Sequence, residues 1–204
     1  MSTSAVSVFS FRRKLRRFRR NRHGSVVVEF AIIAPIFFGL IFAIIESALI
    51  FFAGETLDTI VQDSARVIKT GQAQTAGGVA ACQITGNPTP QACTQATFKN
   101  LVCSKIPALF DCNKLYVDVV SYPPFVSGQS STGFGAVTLP SHIDAAGNFD
   151  PTMHFEPGSK DYVVVVRLFY QWPQFVTRLG FDITNLNGGK RLLVATAAFK
   201  NEPF

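Results

Sequence analysis

The feature that most constrains this chain of 204 residues is a long apolar run that directly follows a strongly basic segment. Residues 30–45 carry no charge, and after Glu46 the run continues without charge to Gly54. A membrane-spanning helix needs about 20 mostly apolar residues, and residues 25–53 exceed that length. The apolar region of a secretory signal is only about 7–15 residues long. The run therefore predicts a transmembrane helix over residues 25–53.

The basic segment sets the expected orientation of that helix. Residues 12–22 contain eight Lys and Arg side chains, and residues 1–24 contain no acid. The whole chain has 19 basic and 13 acidic residues, so residues 25–204 carry 11 bases, 13 acids and a net charge of −2. Basic residues beside a span are held on the cytoplasmic side and attract anionic lipid headgroups. Residues 1–24 are predicted to be a cytoplasmic leader, and nucleic-acid binding is not expected because no second basic cluster follows.

Two residues within the predicted span need a physical reason. Pro35 removes a backbone hydrogen bond and is expected to kink the helix, which membrane helices tolerate. Glu29 is costly close to hydrocarbon unless it is paired. A cut after Gly24 would create an ammonium on Ser25, and this group could pair with Glu29 of a neighbouring subunit and set the axial register. In the alternative interpretation, Glu29 simply lies at the level of the lipid headgroups.

The sequence at this junction resembles a known family. The segment GSVVVEF, from Gly24 to Phe30, resembles the prepilin-peptidase site of type IV pilin-like proteins, in which glycine precedes a helix with glutamate fifth. The continuation through Pro35 to Glu46 is similar to the TadE-like pseudopilins of tight-adherence (Flp) pilus systems. The C-terminal segment ATAAFKNEPF, residues 195–204, resembles the Phe-Arg-Asn-Glu-Pro ending that is frequent in that family.

The resemblance implies a minor pilin or pseudopilin that acts in pilus assembly or adhesion. Prepilin peptidase would cut between Gly24 and Ser25, and Glu29 and Phe30 would then contribute to assembly and register. The implied partners are inner-membrane lipid, the peptidase, other pilin subunits and the assembly platform. The protein would cross the bacterial inner membrane once, with a periplasmic C-terminal domain, and enter the surface pilus after assembly. The alternative is an unprocessed, single-pass anchored periplasmic binding or scaffold protein.

The chain beyond the span predicts an α+β domain over residues 54–204. Apolar residues at helical spacing extend the membrane helix to about Thr70, and a short helix is expected between residues 90 and 106. Period-two patterns predict strands, and these are expected to form an antiparallel sheet of three or more strands with one buried face, as in a pilin. The predicted strands cover residues 114–122, 161–172 and 191–200. Residues 123–160 are rich in Pro and Gly and are predicted to be a long loop or an added subdomain.

Four cysteines lie beyond the predicted span, at Cys82, Cys93, Cys103 and Cys112. Disulfides persist in the periplasm, and the intervals between these residues fit no common zinc site. Four cysteines allow three connectivities. The sequence favours local pairing, Cys82 with Cys93 and Cys103 with Cys112, because both loops are short and sequential.

Residues with catalytic potential are dispersed in this sequence. It contains no Gly-x-Ser-x-Gly motif and no phosphate-binding loop. The three histidines are scattered, and Asp144, Asp150 and Asp161 are too far apart to nominate as an acid pair, so they are interpreted as solvated loop acids. We therefore expect a protein that is not an enzyme and that has no cofactor and no metal.

Overall fold

The computed structural model describes residues 24–76, Cys82, 92–124, 139–174 and 182–204. The basic leader up to residue 23 and residues 125–138 of the predicted loop lie outside the described residues. The chain forms two compact units, Met1–Ile45 and Glu46–Phe204.

The longest element is helix α1, Ser25–Lys69, with 45 residues. By length and composition it is the one helix among the described residues that could cross a membrane. Pro35 lies inside it, and the bend expected there stays a prediction. The helix ends at Lys69, close to the predicted end at Thr70. Gly71, two residues later, has a φ of +76°, in the left-handed region that favours glycine and often follows a helix.

Helix α1 is amphipathic from Ile50 to its end. Its buried apolar side chains recur mostly at intervals of three and four residues, which places them on one helix face: Ile50, Ala53, Leu57, Ile60, Val61, Ala65 and Ile68. Burial of one such Leu or Ile contributes roughly 1.5–3 kcal/mol. This face joins the core of the second unit.

The second unit also contains a short helix and a sheet. Helix α2 spans Gln95–Cys103, and the strands are β1 (Leu115–Tyr122), β2 (Val163–Pro173) and β3 (Lys190–Lys200). The strands pair antiparallel in the order β1-β2-β3. One sheet face supplies Val117, Val119, Val164, Val166, Leu168, Ala195 and Ala197 to the main core, which also holds Phe98 of α2. The α+β class with a three-stranded antiparallel sheet is confirmed.

Two disulfides tie the segments around α2 together. Cys82 is bonded to Cys93, and Cys103, the last residue of α2, is bonded to Cys112 just before β1. This is the local pairing that the sequence favoured. The second bridge closes a loop whose Phe110 packs its ring 4.9 Å from the ring of Tyr170 on β2.

The second face of the sheet is also covered, and the expectation of a single buried face was wrong. We call residues 139–156 the covering segment. Phe169, Leu186 and Leu192 form a second buried cluster, against which Ile143, Phe149 and Met153 of the covering segment pack. The period-two pattern identified which residues share a face, but it gave no sign that a segment without regular structure would shield the other one.

Candidate assembly helix and buried polar cluster

The predicted processing position lies where helix α1 begins. Gly24 is exposed and directly precedes Ser25, the first residue of α1. A Cβ atom added to Gly24 would meet no atom within 4 Å. Packing within the described residues therefore does not require a glycine at this position.

Glu29 and Phe30 follow within the next two turns, and both are exposed. A cut after Gly24 would leave an ammonium at the N-terminal end of α1, about one helical turn before Glu29. The exposed ring of Phe30 lies beside them on the helix surface.

Apolar side chains cover the helix throughout the first unit. Thirteen large apolar residues between positions 26 and 45 are 48–74% exposed, from Phe38 at the low end to Ile36 at the high end. Such a surface is unstable in water, because each exposed apolar side chain forgoes the free energy of burial. Lipid or other apolar helices are the surroundings that suit it.

The second unit contains a buried ionic pair that the sequence analysis missed. Asp118 of β1 and Arg167 of β2 stand directly opposite each other in the strand register, and both are buried. The carboxylate Oδ2 of Asp118 accepts hydrogen bonds from Nη2 and Nε of Arg167, at 2.7 and 3.2 Å. The sequence does carry a signal for this pair. One apolar strand has an acid near its centre, and the other apolar strand has a base near its centre.

The covering segment completes the polar cluster. Arg167 also donates to the carbonyl of Pro140, at 2.9 Å, and its Nη2 lies 3.1 Å from Nε2 of His142. The backbone N–H of His154 donates to Oδ1 of Asp118 at 2.8 Å, and Nδ1 of His154 is 3.2 Å from the same oxygen. His142 and His154, which lie near opposite ends of the covering segment, therefore both lie close to the carboxylate of Asp118.

The contacts of Asp118 in the polar cluster indicate a structural role. Burial raises the pKa of the Asp118 carboxyl, but the His154 N–H and the Arg167 guanidinium outweigh this effect and hold the pKa below its ordinary value. Asp118 is therefore ionised, and the groups around it occupy both of its oxygens. No set of three His, Cys, Asp or Glu side chains within the described residues is arranged to hold a metal ion.

The exposed loop acids stabilise turns. Oδ1 of Asp144 accepts the backbone N–H groups of Ala146 and Asn148, and the pKa of Asp144 is lowered chiefly by its hydrogen bonds with Asn148. Asp161, which has a φ of +65°, pairs with Lys200 at 2.8 Å. These contacts agree with the interpretation of Asp144 and Asp161 as surface acids.

The C-terminal tail forms hydrogen bonds within the second unit, one of them to the end of α1. The buried side chain of Asn201 donates to the carbonyls of Pro157 and Ser159, at 2.9 and 3.0 Å. The N–H of Glu202 donates to the carbonyl of Lys69, the last residue of α1, at 2.9 Å. The Asn-Glu-Pro ending thus satisfies one of the helix carbonyls that lack a partner within α1.

Comparison with known proteins supports the N-terminal resemblance. The family described as TadE-like protein matches residues 24–66, which begin at the predicted processing glycine and cover nearly all of α1. Neither the curated proteins nor the solved structures contain a match to the chain. The family match is consistent with a TadE-like pseudopilin and indicates an association with Tad pili and with the membrane.

Proposed function

We propose that this chain is a minor pilin or pseudopilin of a tight-adherence (Flp) pilus system, matured by prepilin peptidase after Gly24. The observation that carries the proposal is the family match over residues 24–66, which starts at Gly24 and follows α1. Residues 1–24 form the cytoplasmic leader, α1 anchors the protein in the bacterial inner membrane, and the disulfide-bonded second unit lies in the periplasm.

The environment of Gly24 supports processing. A Cβ atom at Gly24 meets no described atom within 4 Å, so packing among the described residues gives no reason for a glycine there. Gly24 is exposed and directly precedes α1, so the bond after it lies at the very start of the helix. Recognition by an enzyme therefore accounts for the glycine better than backbone geometry does.

The exposed apolar surface of α1 supports a role in assembly. Lipid covers the side chains of residues 26–45 while the protein waits in the membrane, and neighbouring pilin helices replace lipid during assembly without loss of apolar burial. After the cut, the ammonium of Ser25 and the carboxylate of Glu29 set the register between neighbours, because either charge alone in hydrocarbon is penalised. Phe30 adds apolar contact beside them. The role is assembly or adhesion, and it requires no catalysis by this chain.

Substitution of Gly24 tests the proposal. Gly24→Leu should accumulate as the full precursor in cells that contain the peptidase, whereas the wild-type chain should lose 24 of its 204 residues and leave 180. Gly54→Leu is the matched control, since a Cβ atom at Gly54 also meets no atom within 4 Å. It should be processed like the wild type. Intact mass and N-terminal sequencing of the membrane protein provide the measurement.

Each result has a defined meaning. A wild-type membrane protein that still begins at Met1 or Ser2 contradicts the proposal and favours the unprocessed anchored scaffold. Processing that stops equally in Gly24→Leu and Gly54→Leu would show a general defect in the helix and would also contradict specific recognition of Gly24.

A further inference from the structure

The two edges of the sheet differ in how they are covered. The sheet has the order β1-β2-β3, so β1 and β3 are its edge strands. On the β1 edge, the N–H of Val119 donates to the carbonyl of His154 at 2.9 Å, and the N–H of Glu156 donates to the carbonyl of Val119 at 2.8 Å. Unpaired backbone groups on an edge are a template for another strand. The covering segment therefore protects the β1 edge around Val119.

The contacts at the start of β3 show which of its backbone groups point away from β2. The carbonyl of Lys190 accepts the N–H groups of Asn185 and Leu186. The N–H of Leu192 donates to the side chain of Asn185. Successive residues of a strand present their backbone groups to opposite sides, and β3 pairs with β2 without interruption along its whole length. The same outward direction therefore applies to the backbone groups of Val194, Thr196, Ala198 and Lys200.

These outward groups are capped at both ends of β3 and are open between the ends. Glu202, just beyond the strand, also points away from β2, and its N–H donates to the carbonyl of Lys69 in α1. Among the described residues, no hydrogen bond reaches the outward backbone groups of Val194, Thr196 or Ala198. The side chains of these three residues are exposed as well. We call residues 194–200 the open edge.

The open edge lacks most of the features that protect an edge strand. Residues 192–199 read LLVATAAF, with no charge and no proline, and the pairing with β2 contains no bulge. Natural proteins normally blunt an exposed edge with lysine, proline or a bulge. Here only Lys200, at the end of the strand, has this character, and it pairs with Asp161. The open edge is as long as an ordinary strand, so an extended segment could pair with all of it.

A groove lies beside the C-terminal part of the open edge. Its volume is about 510 Å³, and β3 contributes Ala198 and Phe199 to its wall. Helix α1 contributes Arg66 and Lys69, both of which are exposed. Among the described residues, Arg66 has no ion pair, and Lys69 only approaches Glu202, at 3.7 Å. The two bases outnumber the one acid, so the groove favours a segment that carries acids.

The charges of β3 exclude a second β3 as the best partner for this edge. Both ends of the strand are basic, with Lys190 and Arg191 at the start and Lys200 at the end, and no residue of β3 is acidic. A second β3 would bring one of these basic ends beside Arg66 and Lys69 in either direction. Like charges that face each other across an interface are unfavourable.

We infer that the open edge binds an extended segment of a partner protein, with uncharged residues along the strand and acids at the end beside Arg66 and Lys69. The segment adds a fourth strand to the sheet, and its backbone pairs with the outward groups of Val194, Thr196 and Ala198. Backbone pairing provides the affinity, and the acids fix the direction of the segment. The inference concerns the second unit alone and does not depend on processing at the N-terminus.

Hydrogen exchange of the full chain in detergent micelles, measured residue by residue with NMR, tests the inference. The probe is the peptide acetyl-Glu-Glu-Val-Thr-Val-Thr-Val-amide, whose acids reach the groove when it pairs antiparallel with β3. In the free chain, the amides of Val194, Thr196 and Ala198 should exchange rapidly. Those of Ala195 and Ala197, which point toward β2, should exchange slowly. At saturation, the probe should slow the three outward amides by more than about tenfold.

Methylation of the probe tests backbone pairing without any change to the protein. In the expected register, the N–H groups of the valines face β3 and those of the threonines face solvent. N-methylation of the first two valines should weaken binding by roughly tenfold or more, because two hydrogen bonds are lost. N-methylation of the two threonines is the matched control, and this peptide should still slow the outward amides.

Charge exchange tests the role of the groove. Replacement of both glutamates of the probe by lysines should weaken binding to the wild-type chain by roughly three- to tenfold. The variant that combines Arg66→Glu with Lys69→Glu should instead bind the lysine probe more tightly than the glutamate probe. Lys114→Glu, which changes an exposed base just before β1, is the control and should leave the preference for the glutamate probe unchanged.

Other outcomes overturn the inference. Slow exchange of Thr196 in the free chain at every protein concentration would mean that a segment of this chain already covers β3. Slow exchange that appears only at high protein concentration would identify a second copy as the partner. Equal effects of the two methylation patterns would refute strand addition, and equal binding of the glutamate and lysine probes would refute recognition of acids. Failure of the probe to slow any outward amide at about 1 mM would refute the docking edge itself.

Discussion

The two parts of helix α1 differ in what covers them. In the first unit, large apolar side chains are exposed on every side, and Leu40 is 58% exposed. In the second unit, apolar side chains occupy one face only, and Leu57 is fully buried. The same residue type in the same helix therefore serves two purposes. Near the N-terminus it is exposed, and under the proposed function it would contact lipid or another subunit; near the C-terminal end of α1 it packs in the core of the second unit.

Under the proposed function, the residues that stabilise the fold are therefore different from the residues that act in assembly. The core face of α1, the sheet and α2 give the second unit its own hydrophobic cluster. Every residue of that cluster belongs to the second unit. Substitutions in the second unit should therefore change the free energy of unfolding, and substitutions in the first unit should change insertion and assembly.

Arg167→Ala should destabilise the second unit by about 3–5 kcal/mol, because it leaves the buried carboxylate of Asp118 without its counter-charge. The protein should nevertheless remain in the membrane fraction. Trp172 is the only tryptophan of the chain and is buried on β2. Its fluorescence during denaturant unfolding gives the measurement.

The control for Arg167→Ala is an exposed pair. Lys200→Ala removes the partner of Asp161, where both side chains are about half exposed, and should cost less than about 1 kcal/mol. If Arg167→Ala unfolded at the same denaturant concentration as Lys200→Ala, the buried cluster would not be a stabilising element. Loss of Arg167→Ala from the membrane fraction would contradict the separation of the two units.

Substitution of one leucine in each part of α1 compares the two units directly. Leu57→Ala should cost about 2–5 kcal/mol, because it leaves a cavity in the core. Leu40→Ala should leave the unfolding midpoint of the second unit unchanged, within about 0.5 kcal/mol. Its effect should appear instead in the yield of assembled pili. An equal shift of the midpoint by both substitutions would show that the first unit takes part in the core.

The structural features that the sequence predicted correctly are those that depend on a local residue pattern. The end of α1 near Thr70 followed from apolar spacing, and the three strands followed from alternation, with bounds that differ by at most two residues from those observed. Disulfide pairing followed from short loops. These features arise from neighbouring residues, which a sequence displays directly.

The polar cluster could not be predicted in the same way. His142 and His154 lie in a segment without helix or strand periodicity, and they reach Asp118 only because that segment folds over the sheet. Strand alternation places Asp118 and Arg167 on the face away from the main core, and a sheet with only one buried face would leave them in solvent. Contacts between residues 24–49 positions apart in the chain depend on how the covering segment packs, and no local rule specifies that packing.

The smallest predicted effect is a pH dependence confined to the second unit. The folded pKa of Asp118 lies below its unfolded value, so its stabilising contribution is present at pH values above the unfolded pKa and is lost as pH falls through the folded pKa. Asp118→Asn lacks this contribution at every pH. The difference in unfolding free energy between wild type and Asp118→Asn should therefore be largest near neutral pH and should shrink below about pH 4.

Denaturant unfolding of both proteins, followed by Trp172 fluorescence at pH 7, 5, 4 and 3, measures this difference. Asp161→Asn is the comparison, because Asp161 also has a lowered pKa but is exposed beside Lys200. Its difference from wild type should be small at every pH, since exposed pairs contribute little. A constant difference for Asp118→Asn from pH 7 to pH 3 would mean that Asp118 stabilises the sheet through packing alone. The ionic contacts to Arg167 and the covering segment would then carry no net free energy.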